Sequence, residues 1–309
     1  MTEGVQSRGS ADREYRLGLL LVLVAAFAWS LGGLYAKLVT VGGFTTLFWR
    51  GLFGCLSLLT VLLWRDARGV VADLARLGAP GWFYAVCSAG GMTCYLVSIQ
   101  YTSIAHNSII WALVPLATAL AAWTFLGERI SLPTIVASLM ALGGVAVMLW
   151  GSAGEGDAFG DFLSVLMMLS GVVMILVSRR YRRLPFAAAG MVASLLSSLL
   201  AWPFAHPASA TWRDIGILAV FGVTQGAVGM VLFGLGARRI PSADAALISA
   251  LEGPLGPLWV FLALGIVPLP GTMIGGAIVI ATVVGHILIE SRRHPASRAV
   301  PSSDGQNRG

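Results

Sequence analysis

The sequence predicts an all-α integral membrane protein with ten transmembrane helices, arranged as two inverted five-helix repeats. Of its 309 residues, 57% are hydrophobic and only 11% are charged, whereas soluble domains contain about 25% charged residues. The mean hydropathy is +0.83. The apolar residues fall in runs of about 20, which is the length that spans a bilayer core. The short connections between the runs leave no room for a separate soluble domain.

Ten apolar runs define the predicted spans. They cover residues 17–38, 44–64, 80–100, 105–126, 132–150, 161–178, 186–204, 214–236, 242–265 and 269–289. The first run is too long for the apolar part of a cleaved signal peptide, so we interpret it as an uncleaved span. Residues 1–16 are then a polar cytoplasmic segment. Residues 290–309 are rich in Pro, Ser and Arg, and we expect a disordered cytoplasmic tail.

The basic residues sort by side of the membrane. Alternate connections and both ends of the chain hold 17 of the 20 Lys and Arg residues. The intervening connection 151–161 contains three acidic residues and no basic one. Because cytoplasmic loops carry an excess of Lys and Arg, both termini are predicted to be cytoplasmic. The same sorting explains the net charge of +6 without a nucleic-acid-binding surface.

An internal repeat relates the fourth and ninth spans. A shift of 138 residues aligns them without a gap, and each follows a polar turn, holds a mid-span proline and ends in Leu-Gly. The aligned identities are Ala105 with Ala243, Ile110 with Ile248, Ala112 with Ala250, Leu113 with Leu251, Leu120 with Leu258, Leu126 with Leu264 and Gly127 with Gly265. Because five spans are an odd number, the repeats 17–150 and 161–289 must be inverted. Inverted repeats with broken helices are typical of transporters.

The strongest candidate site residue is Glu252, about ten residues from either end of its apolar run. A carboxylate at that depth costs roughly 2.5 kcal/mol or more on insertion scales. Gly253, Pro254 and Pro257 beside it weaken the helix, as Pro115 does in the fourth span. A polar group beside a broken helix near the bilayer centre is typical of a transporter site. The alternative is a protonated Glu252 that hydrogen-bonds a neighbouring helix.

Five further residues are candidates for the substrate pocket. Lys37 and Arg50, near the outer ends of the first two spans, could attract an anionic solute; each could instead anchor its helix at the interface. Gln225 could bind substrate or bond a neighbouring helix. Trp29 and Trp111 could line the pocket, or they could contribute only to helix packing.

Glu128, at the inner end of the fourth span, is a candidate gate or latch. The alternative is a loop ion pair with Arg129, which is weak at an exposed site.

Several motifs in both halves resemble the EamA group of the drug/metabolite transporter superfamily, which comprises ten-helix carriers of the bacterial inner membrane. They are Ala28-Trp29-Ser30-Leu31-Gly32-Gly33, Phe48-Trp49-Arg50-Gly51, Tyr101-Thr102-Ser103-Ile104-Ala105, Leu126-Gly127-Glu128-Arg129-Ile130-Ser131, Arg239-Ile240-Pro241-Ser242-Ala243 and Leu251-Glu252. The resemblance covers residues 17–289 and implies a central pocket, alternating access and transport of small organic solutes. Ile266 stands where the family's second half usually has a glutamate. Gly253 separates Glu252 from the proline that usually follows it.

These observations predict a secondary transporter that exports a small organic metabolite, such as an amino acid or a related solute. Glu252 is the candidate proton carrier if transport is ion-coupled. No nucleotide-binding loop is present, and we expect no cofactor and no metal. The expected partners are the small-molecule substrate and the lipid bilayer, not nucleic acid, with a monomer or homodimer. The alternatives are a membrane-embedded enzyme and a passive channel.

Overall fold

The structure, a computed structural model, describes residues 2–66, 69–102, 104–150 and 157–293. These residues contain helices and loops and no strand, which confirms the all-α prediction. The α-helices are α1 (Thr2–Ser30), α2 (Gly32–Leu38), α3 (Gly43–Asp66), α4 (Gly69–Ala75), α5 (Gly78–Ser98), α6 (Ile104–Trp111), α7 (Val114–Leu126), α8 (Leu132–Met148), α9 (Ala158–Arg180), α10 (Phe186–Ala201), α11 (Trp212–Gly222), α12 (Val231–Ala237), α13 (Ser242–Ser249), α14 (Glu252–Leu264) and α15 (Pro270–Arg293). A π-helical segment, Val223–Met230, joins α11 to α12.

Among the residues that the structure describes, eight helical segments are long and apolar enough to cross a membrane. They are Arg13–Leu38, Gly43–Asp66, His106–Leu126, Ala158–Arg180, Phe186–Phe204, Trp212–Ala237, Ser242–Leu264 and Pro270–Ile289. The chain is therefore a multi-pass membrane protein. The predicted spans 80–100 and 132–150 correspond to α5 and to the shorter apolar helix α8. Most of the predicted tail, residues 294–309, lies outside the described residues, while α15 continues to Arg293.

Two helix interruptions lie 138 residues apart, at the spacing of the sequence repeat. Residues 112–113 separate α6 from α7, and residues 250–251 separate α13 from α14. Both α7 and α14 are 13 residues long. Each ends at a glycine in the left-handed conformation, with φ of 66° at Gly127 and 69° at Gly265. The next helices, α8 and α15, begin at residues 132 and 270. Local geometry thus repeats over a full helix, a turn and the start of a second helix.

Prolines account for the position of both interruptions. Pro115 and Pro254 lie in the first turns of α7 and α14. Neither residue has an N–H, so neither can donate to the carbonyl four residues earlier. The uninterrupted hydrogen-bond ladder therefore stops one turn before each proline, next to Trp111 and Ala250. The predicted break at Pro257 is wrong, because that proline lies inside α14, which continues to Leu264.

Helices of the two halves of the chain pack directly on one another. α3 packs on α10, and α8 packs on α15. α9 of the second half packs on α5, and α12 of the second half packs on α1. The central core cluster contains Val22, Val172, Leu247 and Val279, which come from α1, α9, α13 and α15. The apolar interior is therefore shared by both halves.

Polar contacts identify one face of the bundle, which we call the basic face. Glu14 accepts a 2.9 Å hydrogen bond from Arg239 Nε. Arg182 Nε donates to the Arg238 carbonyl at 3.0 Å, and Arg238 Nη1 donates to the Arg182 carbonyl at 2.8 Å. These contacts place the part of α1 around Glu14 and the connections after α9 and α12 on the same side.

Two of the other connections lie at the opposite face. The buried carboxylate of Asp214, in the first turn of α11, accepts 2.9 Å hydrogen bonds from Thr40 N and Thr40 Oγ1. Asp161 in α9 accepts a 2.7 Å hydrogen bond from Thr102 Oγ1. These contacts place the connections after α2 and α5 on the same sides as the starts of α11 and α9, away from the basic face.

We expect Gly127→Ala and Gly265→Ala to destabilise the protein to a similar extent, by about 1–2 kcal/mol each. Both positions have a positive φ that a Cβ disfavours, and a Cβ there would meet no other atom within 4 Å. The measurement is denaturant unfolding in detergent micelles. Gly143→Ala is the matched control, since Gly143 lies inside α8 with open space around it. Equal stabilities for all three variants would contradict the structural role of the two turns.

Candidate functional site

A polar network joins three of the predicted pocket residues in the middle of the bundle. Arg50 Nη1 in α3 donates a 2.9 Å hydrogen bond to Gln225 Oε1 in the π-helical segment. Gln225 Nε2 donates to the Trp29 carbonyl of α1 at 3.0 Å. Trp29 Nε1 donates back to the Gln225 carbonyl at 3.3 Å. Gln225 therefore fixes the positions of Arg50 and Trp29, so part of its bonding capacity is structural.

Glycines allow the backbone approach that forms this network. A Cβ on Gly222 would lie 2.7 Å from the Arg50 carbonyl oxygen, and one on Gly226 would lie 3.0 Å from Gly54 Cα. Gln225 and Gly226 both lie in the π-helical segment Val223–Met230. Such π-helical turns are frequent at functional sites. Arg50 also lies 5.4 Å over the ring of Phe221. These contacts hold the guanidinium on the α11 side of the bundle.

Glu252 faces Arg50 without pairing with it. The two side chains interact electrostatically with each other and with Tyr95 of α5. Among the described residues, no Arg or Lys nitrogen lies within 4.0 Å of the Glu252 carboxylate, which also accepts no hydrogen bond. Both charged residues are half-buried. The interior therefore contains an acid and a base that are near one another yet separate.

An apolar cavity of about 80 Å³ lies between α1, α6, α9, α12 and α13, and its lining includes Trp29 of the polar network but neither Arg50 nor Glu252. Its lining includes Trp29, Trp111, Val114, Phe233 and Ser249. The two tryptophans predicted from the sequence as pocket walls thus line the same cavity, and Trp29 also belongs to the Arg50 network. The cavity lies at the two helix interruptions, because α6 ends at Trp111 and α13 ends at Ser249.

Helix packing differs on the two sides of the site, the basic face and the face opposite it. α13 packs on α7 beneath the site, whereas α6 and α14, as far as they are described, do not pack closely on each other above it. Gly33, one helical turn beyond Trp29, is exposed, and a Cβ there would meet no atom within 4 Å. Lys37 is exposed near the end of α2. That Lys37 belongs to the substrate pocket therefore stays a prediction.

Glu128 makes contacts across the basic face that the sequence did not predict. Its carboxylate accepts a 2.7 Å hydrogen bond from Arg179 Nε of α9 and a 3.0 Å hydrogen bond from the backbone N–H of Ser242. The Glu128 and Arg179 side chains are 22% and 17% exposed. Because Ser242 begins α13, Glu128 also places negative charge at a helix N-terminus, where it is favoured. The partner is thus Arg179 in the other half of the chain, and not the adjacent Arg129.

A second buried cluster on the basic face was absent from the sequence-based prediction. Asp244 of α13 lies 2.9 Å from His286 Nε2 of α15 and accepts a 3.4 Å hydrogen bond from Tyr15 of α1. Asp244 and His286 are 4% and 3% exposed. The three residues come from distant parts of the chain, so no local motif could have revealed the cluster. It ties α1, α13 and α15 together where the site is closed.

Comparison with known proteins gives the family. Residues 16–150 match the EamA-like transporter family. These residues belong to the EamA-like transporter family. The resemblance noted in the sequence is thereby confirmed.

Two individual proteins are similar to this chain. A probable terminal-alkyne amino-acid exporter from Streptantibioticus cattleyicolor is 27% identical over 239 residues, which cover 72% of this chain and 77% of the exporter. A protein of known crystal structure superimposes with a TM-score of 0.76, over 89% of this chain and 99% of its own. Because that protein is only 21% identical, it establishes the fold alone.

We expect Glu128→Gln to loosen the basic face. A charge-assisted hydrogen bond contributes roughly 1.5–3 kcal/mol, and partial exposure of this pair reduces that figure. Spin labels at positions 129 and 183, one in each half, report the separation of the halves in double electron–electron resonance. The variant should increase the population of longer distances several-fold.

Arg76→Gln is the matched control for this experiment. Arg76 is an exposed arginine of the same face, 3.7 Å from Asp73 in its own helical region, so its loss should leave the distances unchanged. Identical distance distributions for the native protein and Glu128→Gln would show that Glu128 does not hold the face closed.

Proposed function

We propose that this EamA-like protein is a secondary transporter that exports a small organic solute by alternating access. The observation that carries the proposal is the pair of interrupted helices, α6–α7 and α13–α14, whose breaks adjoin one interior cavity. Interrupted helices at corresponding positions of two repeats are where transporters bind substrate. Charged residues are rare inside membranes, and Arg50 and Glu252 at this position are therefore functional by default.

The proposed architecture is ten transmembrane helices in two inverted repeats, residues 17–150 and 161–289. α5 and α8 then complete the ten spans. The exact 138-residue offset of two helix breaks, two left-handed glycines and two following helix starts supports the repeat. So does the packing, since the pairs α3 with α10 and α8 with α15 each join elements of the same rank in the two halves.

The basic face is the cytoplasmic face in this proposal. It gathers Arg179, Arg182, Arg238 and Arg239, and the positive-inside rule places such arginines in the cytoplasm. The N-terminal segment 1–16 and the C-terminal tail 290–309 then also lie there. The open side of the site faces outward across the inner membrane, in the state that the structure represents.

The proposed solute is an amino acid or a related small metabolite, and the proposed direction is efflux. The printed name of the Streptantibioticus relative, a probable amino-acid exporter, supports both. The site's paired opposite charges beside an apolar cavity fit such a solute better than a large or purely apolar one.

The alternative classes of protein are a passive channel and a membrane-embedded enzyme. A passive channel needs a continuous polar path, but the interior cavity meets the packed helices α7 and α13 on one side. A membrane-embedded enzyme would convert its substrate. Recovery of chemically unchanged solute on the other side of the membrane separates a carrier from an enzyme.

We expect expression of the protein in a bacterial host to raise tolerance to toxic amino-acid analogues and to lower their intracellular accumulation. Export reduces the internal concentration of the analogue, whereas import would lower tolerance. Growth across an analogue panel, with vector-only cells and cells expressing an unrelated membrane protein as controls, gives the result. Unchanged tolerance and accumulation for every compound would contradict the exporter assignment.

We expect Glu252→Gln to abolish stimulation of transport by a pH gradient. A carboxyl that exchanges a proton for the solute couples the two fluxes, and glutamine cannot bind or release that proton. The measurement is efflux of a radiolabelled solute from proteoliposomes with and without a gradient, expressed as a ratio so that a lower overall rate does not affect it. Equal ratios for native protein and variant would exclude Glu252 as the proton carrier.

A further inference from the structure

The separation of Arg50 from Glu252 is energetically unusual. Opposite charges attract each other more strongly in a protein interior than in water, so neighbouring opposite charges should close into an ion pair. Here no such pair forms between these two described residues. The interior thus keeps open a gap whose two sides carry opposite charge.

Each side of the gap is held by its own contacts. The Arg50 guanidinium is fixed by Gln225 Oε1 at 2.9 Å and by the Phe221 ring. Glu252 is the first residue of α14, and a helix N-terminus stabilises a carboxylate. α14 is in turn tied to α1 through Trp259 Nε1, which donates a 2.8 Å hydrogen bond to Ser30 Oγ. Closing the gap would require one of these anchors to move.

The unused hydrogen-bonding capacity of the two groups is complementary to a zwitterion. A guanidinium has five N–H donors in a fork that suits a carboxylate, and the hydrogen bond to Gln225 uses one nitrogen of Arg50. The Glu252 carboxylate accepts no hydrogen bond within the described part of the chain, so it can accept from an ammonium. A solute with only one charge would leave the other protein charge buried and unpaired, which is costly.

The adjacent cavity suits a short apolar group. Its volume of about 80 Å³ is that of two or three water molecules, since each water occupies about 30 Å³ in the liquid. Trp29, Trp111, Val114 and Phe233 line it. Trp29, which lines the cavity, is also hydrogen-bonded to Gln225, the partner of Arg50.

We propose that Arg50 and Glu252 form a two-charge clamp for the head group of a zwitterionic amino acid with a small apolar side chain. Arg50 binds the carboxylate, Glu252 binds the ammonium, and the cavity between Trp29 and Trp111 receives the side chain. This inference rests on the proposed transport function and specifies what its site selects. Selection requires both charges on one molecule.

Binding to the full-length protein in lipid nanodiscs tests the requirement for both charges. The probe is radiolabelled L-norvaline, displaced by unlabelled norvaline, by its methyl ester, which has only the ammonium, and by N-acetylnorvaline, which has only the carboxylate. We expect each single-charge compound to bind at least about tenfold more weakly than norvaline, a difference of roughly 1.4 kcal/mol.

Two variants assign the charges to their residues. Glu252→Gln should weaken norvaline binding and remove its advantage over N-acetylnorvaline, while the preference over the methyl ester persists. Arg50→Gln should do the reverse, removing the advantage over the methyl ester alone. A variant that merely misfolds weakens all three compounds together. Arg213→Gln is the matched control, an exposed arginine of α11 whose loss should leave the ranking unchanged.

A third variant tests the position of the side chain. A Cβ on Gly171 would lie 2.8 Å from Trp111 Cη2, so Gly171→Ala should push the indole into the cavity. Norvaline binding should weaken several-fold while L-alanine binding changes little. Gly143→Ala, where a Cβ meets open space, should change neither.

The outcomes separate this inference from the proposed function. If cells expressing the protein export a solute, yet single-charge analogues bind as well as norvaline, the clamp is overturned and the transporter assignment stands. Failure of the folded protein to bind norvaline, alanine or leucine also overturns the clamp. If no solute is exported at all, the proposed function itself falls.

Discussion

The gap between the Arg50 guanidinium and the Glu252 carboxylate is the constraint on which the rest of the structure depends. Opposite charges inside an apolar bundle should close on each other, and separate anchors prevent this. Gln225 and Phe221 hold the base, while the helix interruption at residues 250–251 places the acid at the start of α14. Glycines allow α3 to approach the π-helical segment closely, so that Arg50 can reach Gln225. The helix breaks thus create the charged gap and the cavity beside it.

One charged residue on the basic face has no counterpart at the repeat-related position. Glu128 follows α7 and binds Arg179 and the start of α13. The position 138 residues later is Ile266, which is exposed and offers no carboxylate. On the basic side of the site α7 packs on α13. On the opposite side the corresponding pair, α6 and α14, does not pack closely as far as these helices are described. A difference of one ion pair can therefore favour closure of the basic face, because about 1.4 kcal/mol changes a two-state ratio tenfold.

The sequence predicted the features that depend on local chemistry. Hydropathy located the helices, and the 138-residue repeat located both interruptions, since proline acts on its own turn. The sequence did not predict long-range partners, such as Arg179 for Glu128 and His286 for Asp244. It also did not predict the π-helical turn around Gln225. These features all depend on packing between distant helices. Pro257 was wrongly predicted to break α14, which continues past it to Leu264. Arg50, Gln225 and Trp29 were predicted as pocket residues, but their mutual hydrogen bonds were not.

Access to the site from one face only is the central claim, and thiol accessibility tests it most directly. Gly33→Cys, in a protein whose three cysteines are replaced by serine or alanine, places a thiol where the structure leaves open space one turn from Trp29. A membrane-impermeant thiol reagent should label it rapidly from the face opposite the basic face and at least about tenfold more slowly from the basic face. Equal labelling from both faces, or faster labelling from the basic face, would contradict the account.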